Sequence, residues 1–148
     1  MALEAKLRRK AHVKKKREEL DLRYKKMYWL IGKNSSLSLH NKLLIYKQIL
    51  KPVWTYGIQL WGCTKQSNKD IIQRFQNKVL RNIVSAPWYI RNNDFHRDLE
   101  VDVVSSEIQR FAQKHEERLH HENVEAIQLL DNMDIVRRLQ RIKPFELV

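Results

Sequence analysis

The 148-residue sequence has little of what makes turns, cross-links or catalytic loops: three Gly, three Pro and one Cys. With Cys63 alone, no internal disulfide can form, and the usage fits a reducing compartment. As a lone thiol in such a sequence it reads as a small buried apolar residue. No apolar run approaches the roughly 20 residues that span a bilayer. The charged N-terminus lacks a secretory pattern, so a nuclear or cytoplasmic location is expected. Glycine-rich phosphate loops, CxxC pairs and GxSxG elbows are all missing. The seven Asp are scattered and no two are adjacent, whereas two-metal chemistry needs carboxylates around ions about 4 Å apart. HEERL at 115–119 resembles the opening of a zinc-protease motif, but Leu119 stands where the second His is required. His115 and His120 are five apart and point to different sides of a helix. No metal, no cofactor and no complete active site are expected, so the chain should not be an enzyme by itself.

Positive charge is abundant. The net charge is +12, and it is unevenly placed. Residues 1–33 hold twelve bases and four acids, residues 34–91 nine bases and one acid, and residues 92–148 eight bases and twelve acids. The three parts carry +8, +8 and −4. A basic front with an acidic rear points to a polyanion, most simply nucleic acid. The alternative is a soluble protein that happens to be basic.

Scarce Gly and Pro among many Leu, Ile, Lys, Glu, Gln and Arg favour helix. The pattern predicts an all-α helical bundle with a long basic N-terminal helix. Three parts are expected: the basic helix at 1–33, a helical core at 34–92 and an acidic helical region at 93–148. Val13, Leu20, Tyr24, Met27 and Ile31 form a stripe on a helix over 3–31. Before Val13 the stripe is weak and fraying or exposure is expected. Gly32 stops this helix, and Ser36 or Ser38 caps the next. That helix should bury Leu39, Leu43, Tyr46, Leu50 and Val53 or Trp54, and at Pro52 it should kink rather than restart, because apolar spacing continues beyond it. Trp54, Ile58 and Trp61 continue the spacing on one helical face, which makes the two Trp core residues. Gly57 should admit a second backbone, and Gly62 should close the element. Ser67, with Asp70 three residues on, reads as the cap of a helix burying Ile71, Ile72, Phe75, Val79 and Ile83. A loop follows at 85–93, then a short turn at 94–99. The alternation at 100–104 resembles a strand without a partner. Further helices are expected at about 105–120, 123–130 and 134–142. Pro144 ends the last.

The candidate contacts to a polyanion fall in three groups. Lys14, Lys15, Lys16 and Arg17 form a basic run that lies along phosphates, serves as a nuclear-import signal or is a solvated face. Lys42, Lys47, Lys51, Lys78 and Arg81 sit on helices of the central stretch, where fixed spacing would present bases to a phosphate backbone. Trp88, Tyr89 and Arg91 lie in the loop; the two aromatics either stack on bases or fold back over the core.

Certain words of the sequence are more specific: Tyr28-Trp29-Leu30-Ile31-Gly32, Leu37-Ser38-Leu39, and the run KQILKPVWTYGIQLWG at 47–62. Ile72-Gln73-Arg74-Phe75-Gln76-Asn77-Lys78 and Ala86-Pro87-Trp88-Tyr89-Ile90-Arg91-Asn92 continue them. Through these, from about His12 on, the chain resembles the tail of reverse transcriptases encoded by non-LTR retrotransposons of the insect jockey type. The resemblance implies the thumb and post-palm region of an RNA-directed DNA polymerase, gripping an RNA or DNA template-primer beside the rest of a polyprotein. It also marks what is missing. The family's palm motif, an aromatic followed by alanine and two aspartates, is absent, as are fingers and endonuclease. The expectation is therefore a fragment, or a decayed or repurposed copy, that binds nucleic acid without polymerising. The other reading is a helical protein–protein module derived from a retroelement.

Overall fold

The stripe on the first helix has a gap of seven between Val13 and Leu20, and the fold fills that gap with cations. In the structure, a computed structural model that describes residues 2–122, α1 runs Ala2–Ile31. Val13, Leu20, Tyr24 and Ile31 are buried. Lys16 lies between them with only 6% of its surface exposed. Its alkyl stem covers the stripe while Nζ donates to the Val53 carbonyl at 2.9 Å. Arg17 lies with its guanidinium 4.7 Å from the Phe75 ring centroid and pairs with Asp21 at 2.5 Å. The backbone is helical from Ala2, and of the fraying or exposure expected before Val13 it is exposure that is seen, at Lys10, Ala11 and His12.

Lys42 ends α1. Its Nζ donates to the Gly32 carbonyl at 3.1 Å from a buried position, a cation placed where the helix dipole leaves negative charge. Ser38 Oγ then accepts from Asn41 N and starts α2, Leu39–Ile45. Leu39, expected in the core, is exposed in the first turn of this helix.

The strain that Pro52 imposes is absorbed before the proline. Residues Tyr46–Leu50 form a π turn, in which the Lys51 N–H reaches back to the Tyr46 carbonyl. α3, Lys51–Thr55, opens with Pro52 in its first turn, where the missing N–H costs least. The extra residue in the π turn keeps Tyr46, Leu50 and Trp54 all at 0% exposure. The expected break is therefore a widened turn.

Trp54 and Trp61 do not share a helix. Gly57 adopts φ 66 between α3 and α4, Ile58–Trp61, a left-handed conformation glycine reaches without cost. A Cβ there would meet nothing within 4 Å, so the expected close approach is not at Gly57. It is at Gly62, where a Cβ would lie 3.0 Å from Ile108 Cγ2. The two Trp meet through the turn instead. Their rings are edge-to-face at 6.5 Å, and the Trp61 indole N–H donates to the Trp54 carbonyl at 2.9 Å.

α5, Gln66–Ile83, starts one residue before Ser67. Lys65, not Ser67, is its N-cap and makes no side-chain cap bond. Gln66 Nε2 instead donates to Asp70 Oδ1 at 2.9 Å. Ile72, Phe75, Val79, Leu80 and Ile83 fill the core. α6 is Asn92–Asp98 and α7 is Val104–Glu122. The stretch 101–103 is irregular, and no strand occurs among the described residues. α5 lies along α1 and against α6 and α7, while α4 packs on α7. One cluster, from Val13 through Trp54 and Phe75 to Ile108, draws on all three expected parts. The fold is all-α as expected. The helices expected at 123–130 and 134–142 lie outside the described residues.

Candidate nucleic-acid interface

The twelve candidate contact residues divide by what the fold does with them. Lys14, Lys15, Lys47, Lys78 and Arg91 are exposed. Lys14 and Lys15 lie on the solvent side of α1, because the stripe and Lys16 take the other. Lys47 projects from the π turn. Arg74 and Lys78, four apart on α5, share an outward face.

Five others are engaged within the molecule. Lys16 and Lys42 bind carbonyls near the ends of α3 and α1. Arg17 is held by Asp21 and Phe75. Lys51 donates to Glu107, whose carboxyl group is 0% exposed. Arg110 also donates to Glu107 from the other side, at 2.5 Å, so a buried acid on α7 is bracketed by two cations. Arg81 points at a loop. Its guanidinium donates to the carbonyls of Pro87 at 2.7 Å and Ile90 at 2.9 Å and to Asn92 Oδ1 at 3.0 Å. It also lies 5.1 Å from the Phe95 ring centroid. Of these, Lys16 and Lys42 are buried, which removes them from any phosphate-facing surface.

Burial and neighbouring bases act together on α1. His12 has its pKa lowered, first by partial burial and then by Lys16 and Lys15. Lys16 itself is lowered by desolvation, with Glu19 opposing. Only the contribution of Lys16 and Lys15 to His12 reflects positive potential, which favours an anion.

Trp88 and Tyr89 do not fold back over the core. They are 88% and 69% exposed, with rings edge-to-face at 6.0 Å.

The sequence reading missed a polar network between α5, α6 and α7. His96 is buried, with Nδ1 2.7 Å from the Val101 carbonyl and Nε2 2.8 Å from Asn77 Oδ1. Gln73 Oε1 accepts from the Val104 N–H at 2.8 Å, and buried Gln76 donates to the Asp102 carbonyl at 2.8 Å. These amides satisfy the irregular backbone that joins α6 to α7. Beside them lies a cavity of about 270 Å³ lined by both polar and apolar groups, among them Gln66, Lys69, Asn77, His96 and Val104. The signal was present: Gln73, Gln76 and Asn77 sit on or beside the apolar face of α5, where side-chain amides require partners.

Among the described residues no group of three His, Cys, Asp or Glu could hold a metal ion. No helix among them is long and apolar enough to cross a membrane.

Fold and composition place the chain among helical proteins with strongly basic sequence over residues 1–91. Comparison narrows this. The probable RNA-directed DNA polymerase of transposon X-element from Drosophila melanogaster is 41% identical over 137 residues, 93% of this chain and 15% of that protein. The RNA-directed DNA polymerase of mobile element jockey from the same organism is 37% identical over 99% of this chain and 17% of its own length. That of jockey from Drosophila funebris is 38% identical over 73% of this chain and 12% of its own. No family model and no solved structure matches. The chain is homologous to a region of the jockey-type reverse transcriptases of non-LTR transposons. It spans less than a fifth of the length of these relatives.

Proposed function

We propose that the chain is a non-catalytic, nucleic-acid-binding portion of a retrotransposon reverse transcriptase, which grips template and primer by their phosphates. The observation that carries the reading is the exposed basic set Lys14, Lys15, Lys47, Lys78 and Arg91, within 91 residues of net charge +16. Helices hold the lysines at fixed spacing, which suits a regular phosphate backbone better than a flexible tail would. The relatives' names support nucleic acid as the partner class. The chain spans less than a fifth of its relatives' length, and this reading assigns it binding and leaves the chemistry to the rest of a longer polymerase.

A titration of the purified chain with RNA–DNA hybrid tests this. If six or more phosphates are contacted, affinity falls roughly a thousandfold or more between 50 and 200 mM salt. A flat salt response removes the reading.

A second reading, a docking module for another protein, draws on Tyr56 and Leu60, which are 80% and 74% exposed around α4. Apolar docking there would be insensitive to salt or strengthened by it, so the same titration separates the two.

A further inference from the structure

The loop between α5 and α6 breaks a local rule. The Ile90 N–H donates to the Pro87 carbonyl at 3.3 Å, closing a four-residue turn with Trp88 and Tyr89 at its two corners. Turn corners are ordinarily Gly, Asn, Asp, Ser or Pro, chosen for backbone freedom or local hydrogen bonds. Here both are large aromatics, left in water while their flanks, Ala86 and Ile90, pack against the core. The flanking helices α5 and α6 bury their own aromatic side chains, Phe75 and Phe95.

The turn is also braced more firmly than a surface turn requires. Arg81 donates to the carbonyls at both ends of it, Pro87 and Ile90, and to Asn92 beyond. The Phe95 ring backs the guanidinium. One planar fork therefore fixes first and last residues together. Rings presented from a fixed turn lose little conformational freedom when something stacks on them. Arg91, exposed, follows directly.

We propose that the 87–90 turn is a stacking platform for an unpaired nucleobase, with Trp88 and Tyr89 as the contact rings and Arg81 as the positioning residue. The two ring planes stand at 82°. They cannot both lie parallel to one run of stacked bases. A base freed from its stack can lie on one ring and meet the edge of the other, with its phosphate near Arg91. The ligand class is thus a single strand or a frayed end, and a continuous duplex is disfavoured at this turn. This rests on the reading of the basic surface as a phosphate contact, and adds the form of nucleic acid taken at one place on it.

The test uses the full chain carrying Trp29→Phe. Trp29 is 73% exposed, and Trp54 and Trp61 are fully buried, so Trp88 becomes the exposed fluorophore. Its emission is followed during titration with a single-stranded 16-mer, the blunt duplex of the same sequence and a 16-mer of abasic sites. The expected result is strong quenching by the single strand and little by the other two. Trp88→Ala with Tyr89→Ala lowers single-strand affinity about 10- to 100-fold, the range of one or two lost stacks, and leaves the salt dependence of duplex binding unchanged. Arg81→Lys keeps the charge but loses the fork, and weakens single-strand binding several-fold with the same salt slope. Equal quenching by the abasic strand overturns the proposal. So does wild-type single-strand affinity in the double alanine variant, the result expected if the turn contacts a protein instead. Loss of salt-dependent binding altogether would refute the phosphate-contact reading and this one with it. Salt-dependent binding without base-dependent quenching refutes the stacking platform alone.

Discussion

Two stretches of this chain use similar residues to opposite ends. In the first, from Tyr46 to Trp61, a π turn and two short helices bury Tyr46, Trp54 and Trp61 completely, and its Lys51 partly neutralises the buried Glu107. In the second, from Arg81 to Asn92, a base braces a turn and two aromatics stand in water. Neither aromatic content nor charge separates them. What differs is the destination of the base. Where a cation meets a buried carboxyl group, it lets the helix behind it close over the core. Where it meets backbone carbonyls at a loop, it holds the loop open. A count of lysines and arginines overstates the surface available to phosphate, because Lys16, Lys42, Lys51 and Arg81 are used inside the fold.

The largest expected contrast is between Trp54 and Trp88. Trp54→Ala should destabilise the chain by about 3–5 kcal/mol, as for other fully buried large aromatics. Trp88→Ala should change stability by no more than about 0.5 kcal/mol. Chemical denaturation of both variants measures this, and equal losses would erase the distinction between the two stretches.

Lys51 and Lys47 sharpen the comparison within the first stretch. Lys51→Ala leaves Glu107 buried with Arg110 alone, and should cost about 2–3 kcal/mol, below the loss expected for a wholly unpaired buried charge. Lys47→Ala should be nearly silent in stability but should weaken nucleic-acid binding. The reverse pattern would show that the buried ion pair is not structural.

Smaller effects come from the tyrosines. Burial raises the pKa of Tyr46 well above its ordinary value of 10.0, and desolvation also raises that of Tyr24. Above pH 10 the unfolded chain releases these protons while the folded chain keeps them, so the unfolded state binds fewer and stability falls as pH rises. The slope should reach at most about 1.4 kcal/mol per pH unit for each tyrosine. Below pH 10 both contributions are fully present. Tyr46→Phe should flatten part of this decline. At neutral pH it should change stability by no more than about 1 kcal/mol, because the Tyr46 hydroxyl lies near the Gln76 and Trp54 side chains without a hydrogen bond of full strength among the described residues.

Much of the fold was legible in the sequence because apolar spacing reports burial directly. The stripe from Val13 to Ile31 and the core face of α5 were of this kind, as was the burial of Trp54 and Trp61. The route of the chain between the two Trp was not. A spacing of seven fits one helix, but Gly57 can turn left-handed at no cost, and the sequence alone does not say whether it does. The π turn was hidden for a related reason: Pro52 announces strain, and the fold chose where to absorb it. The surface was least legible. Whether a lysine faces water or a helix end depends on carbonyls contributed by distant residues, 37 positions away for Lys16 and Val53. The gap of seven in the α1 stripe was the one local sign that something other than an apolar residue had to cover the core there.

The central claim is that the exposed bases, and not the total charge, bind nucleic acid. The direct test is the salt dependence of hybrid binding by a Lys14→Gln, Lys15→Gln, Lys47→Gln, Lys78→Gln variant beside the unaltered chain. If each lysine meets one phosphate, the slope of log affinity against log salt should become shallower by about 3 to 4, with the thermal midpoint unchanged. An unchanged slope in the folded variant would contradict the account.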